Sequence, residues 1–79
     1  MEIDDVDFKK ALGHRVRRLR LAASVTQDVL AERCGIYRTY LSRIEAGAAN
    51  PTLVVLAALA AALNVRLSAL FYDADASPQ

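Results

Sequence analysis

Apolar residues recur at spacings of three and four along the first third of the chain. Phe8, Leu12, Val16, Leu19 and Ala23 fall on one face of a helix. A first helix is therefore predicted over about residues 6–23, with Asp5 or Asp7 capping its start. Ser24 and Val25 make a short connection, and Thr26 offers a cap for a second helix. Asp28 lies in the first turn of that helix, and Val29, Leu30, Ala31 and Cys34 supply its apolar side. Gly35 follows at once, where a left-handed backbone can end a helix at little cost. A third helix is expected over roughly 37–46, held inward by Leu41 and Ile44 and stopped by Gly47.

Ala48 to Pro51 read as a loop, and Thr52 as the cap of a fourth helix. Leu53 to Leu63 is apolar on every side, so burial all round is expected, in the core or against another subunit. Asn64 ends it. Leu67, Leu70 and Phe71 suggest a brief fifth helix, with residues 73–79 as a frayed tail. Val54 and Val55 are β-branched, but the alanines around them favour helix, and no segment alternates as a strand does. The expected fold is all-α: a compact bundle of five short helices containing a helix-turn-helix. It forms one domain over residues 1–79, with an ordered core of about 6–72.

Length and composition narrow the function. A chain of 79 residues buries only roughly 60% of its unfolded surface, so its core is marginal and dimerisation would help it. An apolar content of 54% argues against disorder. Cys34 is the only cysteine, which excludes an internal disulfide and a cysteine-rich metal site. It reads as a small buried hydrophobe, and the lone His14 as a surface residue; neither a metal nor a cofactor is expected. The acidic start, Met1 to Asp7, is unlike a signal peptide, and the longest apolar run is too short to cross a bilayer. A soluble, cytoplasmic protein without membrane contact is expected.

A net charge of +1 conceals a strong asymmetry. Nine of the ten Lys and Arg residues lie between Phe8 and Arg43: Lys9, Lys10, Arg15, Arg17, Arg18, Arg20, Arg33, Arg38 and Arg43. Only Asp28 and Glu32 oppose them there. The remaining acids flank this basic middle, a distribution that fits a polyanionic partner.

The stretch from Thr26 to Glu45 shows where such a partner would dock. Two short helices are separated by a glycine-centred turn, and the small Ala31 lets them approach. Ile36, Leu41 and Ile44 pack between them. This is a helix-turn-helix, whose second helix enters the major groove of double-stranded DNA. With Leu41 and Ile44 inward, Arg38, Thr39, Ser42 and Arg43 face outward. Arginine can pair bidentately with guanine O6 and N7, and threonine offers a hydroxyl and a methyl to base edges. Tyr37 and Tyr40 can reach phosphate or a base. Gln27 lies at the N-terminus of the second helix, whose backbone N–H groups suit a phosphate.

The order Thr26-Gln27-x-x-Leu30-Ala31-x-x-x-Gly35-Ile36, then Leu41-Ser42-x-Ile44-Glu45-x-Gly47 and Asn50-Pro51-Thr52-Leu53, resembles the Cro/C1-type (XRE) regulators of bacteria and phages. The likeness runs from about Leu12 to Phe71. The narrower run Arg38-Thr39-Tyr40-Leu41-Ser42-x-Ile44-Glu45, with Asn50, is similar to controller proteins of restriction-modification systems. The resemblance implies a lambda-repressor-like domain acting as a homodimeric transcriptional regulator on an inverted-repeat operator. By it, Gln27, Tyr40 and Asn50 would bind phosphates, while Tyr37, Arg38, Thr39, Ser42 and Arg43 would meet base edges or adjacent phosphates. Arg20 and Glu45 would form a structural salt bridge, which removes Arg20 from the DNA contacts. Two departures stand out. Similar proteins often carry basic residues where this chain has Ala46, Ala48 and Ala49, and Arg66 replaces a capping Ser or Thr before the fifth helix.

The apolar fourth helix has two roles open to it, completing the core or also forming a dimer surface with Leu67, Leu70, Phe71 and Tyr72. The second is favoured, because so short a chain has few residues to cover it. The rival to a DNA-binding regulator is an antitoxin-like interaction module that binds DNA secondarily. An enzyme ranks third, since no nucleophile set or phosphate loop is present. No small-molecule ligand is expected.

Overall fold

The computed structural model describes residues 4–71, which form four α-helices and one 3₁₀ turn with no strand among them. Helix α1 spans Asp5–Ala22. Its cap is Asp4, not Asp5 or Asp7 as expected: the Asp4 backbone is extended and its Oδ1 accepts from Val6 N at 2.9 Å. Asp5 and Asp7 instead sit in the first turn, where they meet the dipole. Helix α2 is Gln27–Cys34, capped by the Thr26 hydroxyl, which accepts from Val29 N at 3.2 Å. Gly35 ends it with φ +70°, a conformation in which any Cβ would be strained.

Helix α3 follows over Arg38–Glu45, and α4 over Leu53–Ala62, the latter capped by the Thr52 hydroxyl on Val55 N at 3.2 Å. The fifth helix is corrected to a 3₁₀ turn, Leu67–Leu70. Arg66 at its start makes no side-chain capping bond, and only four residues adopt the conformation, too few for an α-helix to propagate.

Helix α1 packs against α3, and α2 packs against both α3 and α4. Val16, Leu30, Leu41, Ile44, Leu59 and Leu70 are sealed at the centre. Gly13 sets how closely α1 and α3 approach. A Cβ there would run into the Ile44 carbonyl oxygen and stand 2.7 Å from that of Glu45, so only glycine lets α1 cross the end of α3.

The outer surface brings further corrections. Helix α4 is not buried all round: Leu56, Leu59 and Ala60 face the core, while Leu53 and Val54 are 67% and 78% exposed. At 100° per residue Leu53, Val54, Ala57 and Ala61 share one face, and all four are exposed. In α2, Val29 is on the exposed side although it was expected on the apolar one. Leu70 is 1% exposed and belongs to the core of its own chain, so it is not available to a dimer interface. Leu67 and Phe71 keep partial exposure, and Tyr72 lies outside the described residues. Among the described residues no helix is long and apolar enough to cross a membrane.

Candidate nucleic-acid interface

The turn between α2 and α3 fixes the orientation of α3. Ile36 N donates to Ala31 O at 3.0 Å, closing the chain over the end of α2. Leu41 and Ile44 then anchor α3 on its inner side, and Tyr40 packs half-buried at the flank. What remains outward is polar. Tyr37 is 84% exposed, Arg38, Thr39 and Arg43 are exposed, and Ser42 is half-buried. Arg38, Thr39, Ser42 and Arg43 therefore share the side of α3 opposite Leu41 and Ile44 and carry hydrogen-bonding groups there.

The site does not end with α3. An open cleft of about 280 Å³ runs beside it, lined by Arg17, Arg20, Gln27, Ser42, Glu45 and Ala46. Arg20 and Glu45 form its buried part: Arg20 Nε lies 2.7 Å from Glu45 Oε2, and the two side chains are 10% and 4% exposed. Arg20 Nη2 donates to Glu45 Oε1 at 3.0 Å, and Nη1 to Val25 O at 2.9 Å. Gln27 Nε2 also donates to Glu45 Oε1, at 3.1 Å. The carboxylate thus holds the Gln27 amide at the front of α2, a tether absent from the sequence reading. One Nε2 hydrogen and the amide oxygen are left to face a ligand.

Asn50 is exposed in the loop before α4. Arg43 bends toward the same loop, its Nη2 donating to Ala48 O at 3.1 Å. It places a cation beside Ala48, in a loop whose alanines carry none. Arg38 stands 3.3 Å from Asp28 through its Nε. Arg17, Gln27 and Ser42 are thus brought together at the cleft, while Asn50 lines a separate hollow with Lys9, Leu12 and Leu56.

Two residues that position this surface escaped the sequence reading. Gly13 was overlooked, although a glycine inside a helical pattern signals close backbone approach. Arg17 is one of six basic residues of α1, and nothing in its spacing alone singles it out. It lies one helical turn before Arg20, which places it at the cleft once Arg20 is known to point there.

Cys34 is a free, half-buried thiol whose pKa is raised above the ordinary 9.0 by burial, so it is a poor nucleophile at neutral pH. Among the described residues no group of three His, Cys, Asp or Glu side chains could hold a metal.

Comparison with known proteins gives the same architecture. The helix-turn-helix domain family matches residues 11–70. The HTH-type transcriptional regulator y4dJ of Sinorhizobium fredii is 37% identical over 73 residues, covering 92% of this chain and 95% of that protein. The control protein C.SmaI of Serratia marcescens is 38% identical over 65 residues, covering 82% of this chain and 77% of its own. Among solved structures, the restriction-modification controller protein C.AhdI of Aeromonas hydrophila superposes with a TM-score of 0.79 at 36% identity. That match covers 80% of this chain and 96% of C.AhdI.

Proposed function

This chain belongs to the helix-turn-helix family of transcriptional regulators, and we propose that it binds double-stranded DNA as a homodimer on an inverted-repeat operator. Each subunit lays α3 in the major groove of one half-site. The observation that carries this reading is the outward face of α3, where Arg38 and Thr39 are open to solvent while Leu41 and Ile44 bind the helix to the domain.

The remaining groups take roles set by their chemistry. Gln27, Tyr40 and Asn50 contact phosphates, which fix register without reading sequence. Tyr37, Arg38, Thr39, Ser42 and Arg43 address base edges or the phosphates beside them. Arg17, at the rim of the cleft next to Gln27, adds a phosphate contact. Dimerisation uses the open apolar face of α4, Leu53 and Val54 above all, together with Leu67 and Phe71. Two-fold symmetry then places the half-site centres about 34 Å apart, one turn of B-DNA.

Selection from a pool of random-sequence duplexes, followed by footprinting of the winners at two salt concentrations, tests the proposal. An enriched inverted repeat protected in both halves is expected, with affinity falling as salt rises. A protein that enriches no sequence is not an operator-binding regulator of this kind.

A further inference from the structure

Asp28 stands in the first turn of α2, and Arg38 opens α3 across the turn between them. Their ion pair joins Asp28 Oδ1 to Arg38 Nε at 3.3 Å. The contact is to the inner edge of the guanidinium, so Nη1 and Nη2 are left for a ligand. Those two nitrogens form a fork that fits O6 and N7 of guanine. Arg43, the other arginine of this face, has one of its terminal nitrogens tied to Ala48 O. Arg38 is therefore the better equipped of the two to read a guanine end-on.

We infer that Asp28 is a positioning residue for sequence recognition: its carboxylate holds the inner edge of the Arg38 guanidinium so that the fork points away from α3 into the major groove. The inference rests on the reading of α3 as the recognition helix.

A simpler account makes Asp28 only a partner for the α2 dipole. That explains an acid in the first turn but not its ion pair with the first residue of the next helix. Nor does stability explain the pair. The Arg38 and Asp28 side chains are 57% and 77% exposed, and a pair so open to water contributes next to nothing to folding. Against DNA the balance differs. Exclusion of water strengthens the attraction, and an arginine already restrained loses less rotamer freedom when it pairs with a base. The cost is a negative charge held close to phosphates. Asp28 therefore lowers affinity for DNA in general and raises discrimination at one base pair.

The test compares the wild-type chain with Asp28→Asn, Asp28→Glu, Arg38→Ala and the double variant Asp28→Asn/Arg38→Ala. Each is passed through selection on random-sequence duplexes and then titrated against the selected site, its single-base variants and an unselected duplex. Arg38→Ala should abolish the preference at one base pair per half-site, a preference of roughly 5- to 150-fold in the wild type. Asp28→Asn should cut that same preference several-fold while binding the unselected duplex more tightly than the wild type does. Asp28→Glu, which keeps the charge, should restore part of it. In the Arg38→Ala background, Asp28→Asn should still tighten binding to the unselected duplex but leave base preference untouched. Melting curves of the Asp28 variants should match the wild type within a few degrees, as expected for an exposed pair.

If Arg38→Ala loses the preference and Asp28→Asn retains it in full, the positioning role is wrong while the reading of α3 stands. If Asp28→Asn alters base preference even without Arg38, it acts by another route and the inference fails. If Arg38→Ala changes preference at no base pair, the reading of α3 falls and the inference with it.

Discussion

Arg20 and Glu45 are joined in a bidentate pair, Nε to Oε2 at 2.7 Å and Nη2 to Oε1 at 3.0 Å, that ties α1 to the last turn of α3. The same carboxylate holds Gln27, and the same guanidinium reaches Val25 O in the turn before α2. Three helices thus share one charged junction beneath the candidate DNA surface. Removing one partner leaves a buried charge uncompensated, which costs about 3–5 kcal/mol. A domain of this length has a total stability on the order of 5–10 kcal/mol. Arg20→Ala should therefore melt far below the wild type, at about 4–8 °C lower for each kcal/mol lost. Arg20→Lys should rescue it poorly, because an ammonium cannot reproduce the fork. Thermal unfolding followed by circular dichroism measures both. A shift of only a few degrees for Arg20→Ala would mean that the junction is a consequence of the fold and not one of its supports.

Gly13→Ala sets two effects against each other. Alanine in a helix interior is favoured over glycine by about 1 kcal/mol. At this position its Cβ would overlap the Ile44 and Glu45 carbonyl oxygens, which are backbone and cannot rotate away. Overpacking of that kind costs about 1–3 kcal/mol, occasionally more, so the net effect should be destabilising. The displacement falls on the end of α3, so DNA affinity should decline as well, even at temperatures where the variant remains folded. Urea unfolding and duplex titration, run on the same preparation, check the two halves of this expectation. A stabilised variant would show that α1 can slide away from α3.

What the sequence revealed depended on how local the governing physics is. Thr26 and Thr52 were recognisable as caps because a hydroxyl and the backbone N–H three residues on decide the matter. Gly35 was equally plain. At the start of α1 the sequence pointed to Asp5 or Asp7, and the cap is Asp4 because that is where the backbone is extended. Four residues from Leu67 to Leu70 carry too little periodicity to separate a 3₁₀ turn from a short α-helix. The Arg20–Glu45 pair spans 25 positions and came from family resemblance, not from spacing. The Gln27 tether, 18 positions from Glu45, had no local signal at all. The row Arg38, Thr39, Ser42 and Arg43 was legible because Leu41 and Ile44 alone fix which side of α3 is buried.

Arg17 offers a test of how far the interface extends beyond α3. It is exposed at the rim of the cleft that also contains Gln27 and Ser42. A phosphate contact carries no sequence information, so Arg17→Ala should weaken binding to selected and unselected duplexes by a similar factor. The slope of log affinity against log salt should become shallower by about one. Arg38→Ala should instead change the base preference. An Arg17→Ala variant with an unchanged salt slope would remove α1 from the interface.

Leu70 and Val54 separate folding from assembly. Leu70 is sealed in the core, and truncating a buried leucine costs about 2–5 kcal/mol through lost contacts and the cavity left behind. Leu70→Ala should therefore lower the melting temperature of the chain whatever its oligomeric state. Val54 is 78% exposed on the open face of α4 and has little to lose in the isolated subunit. A charge there would have to be desolvated in a dimer that uses this face, and burial of an unpaired carboxylate is strongly unfavourable. Val54→Glu should keep the helical spectrum and shift the monomer–dimer equilibrium toward monomer in sedimentation. Binding to a two-half-site duplex should fall more than binding to a single half-site, because only the former needs both subunits. If Val54→Glu dimerises as the wild type does, the subunits meet elsewhere, and the 34 Å spacing expected of roughly one helical turn must be derived from another face.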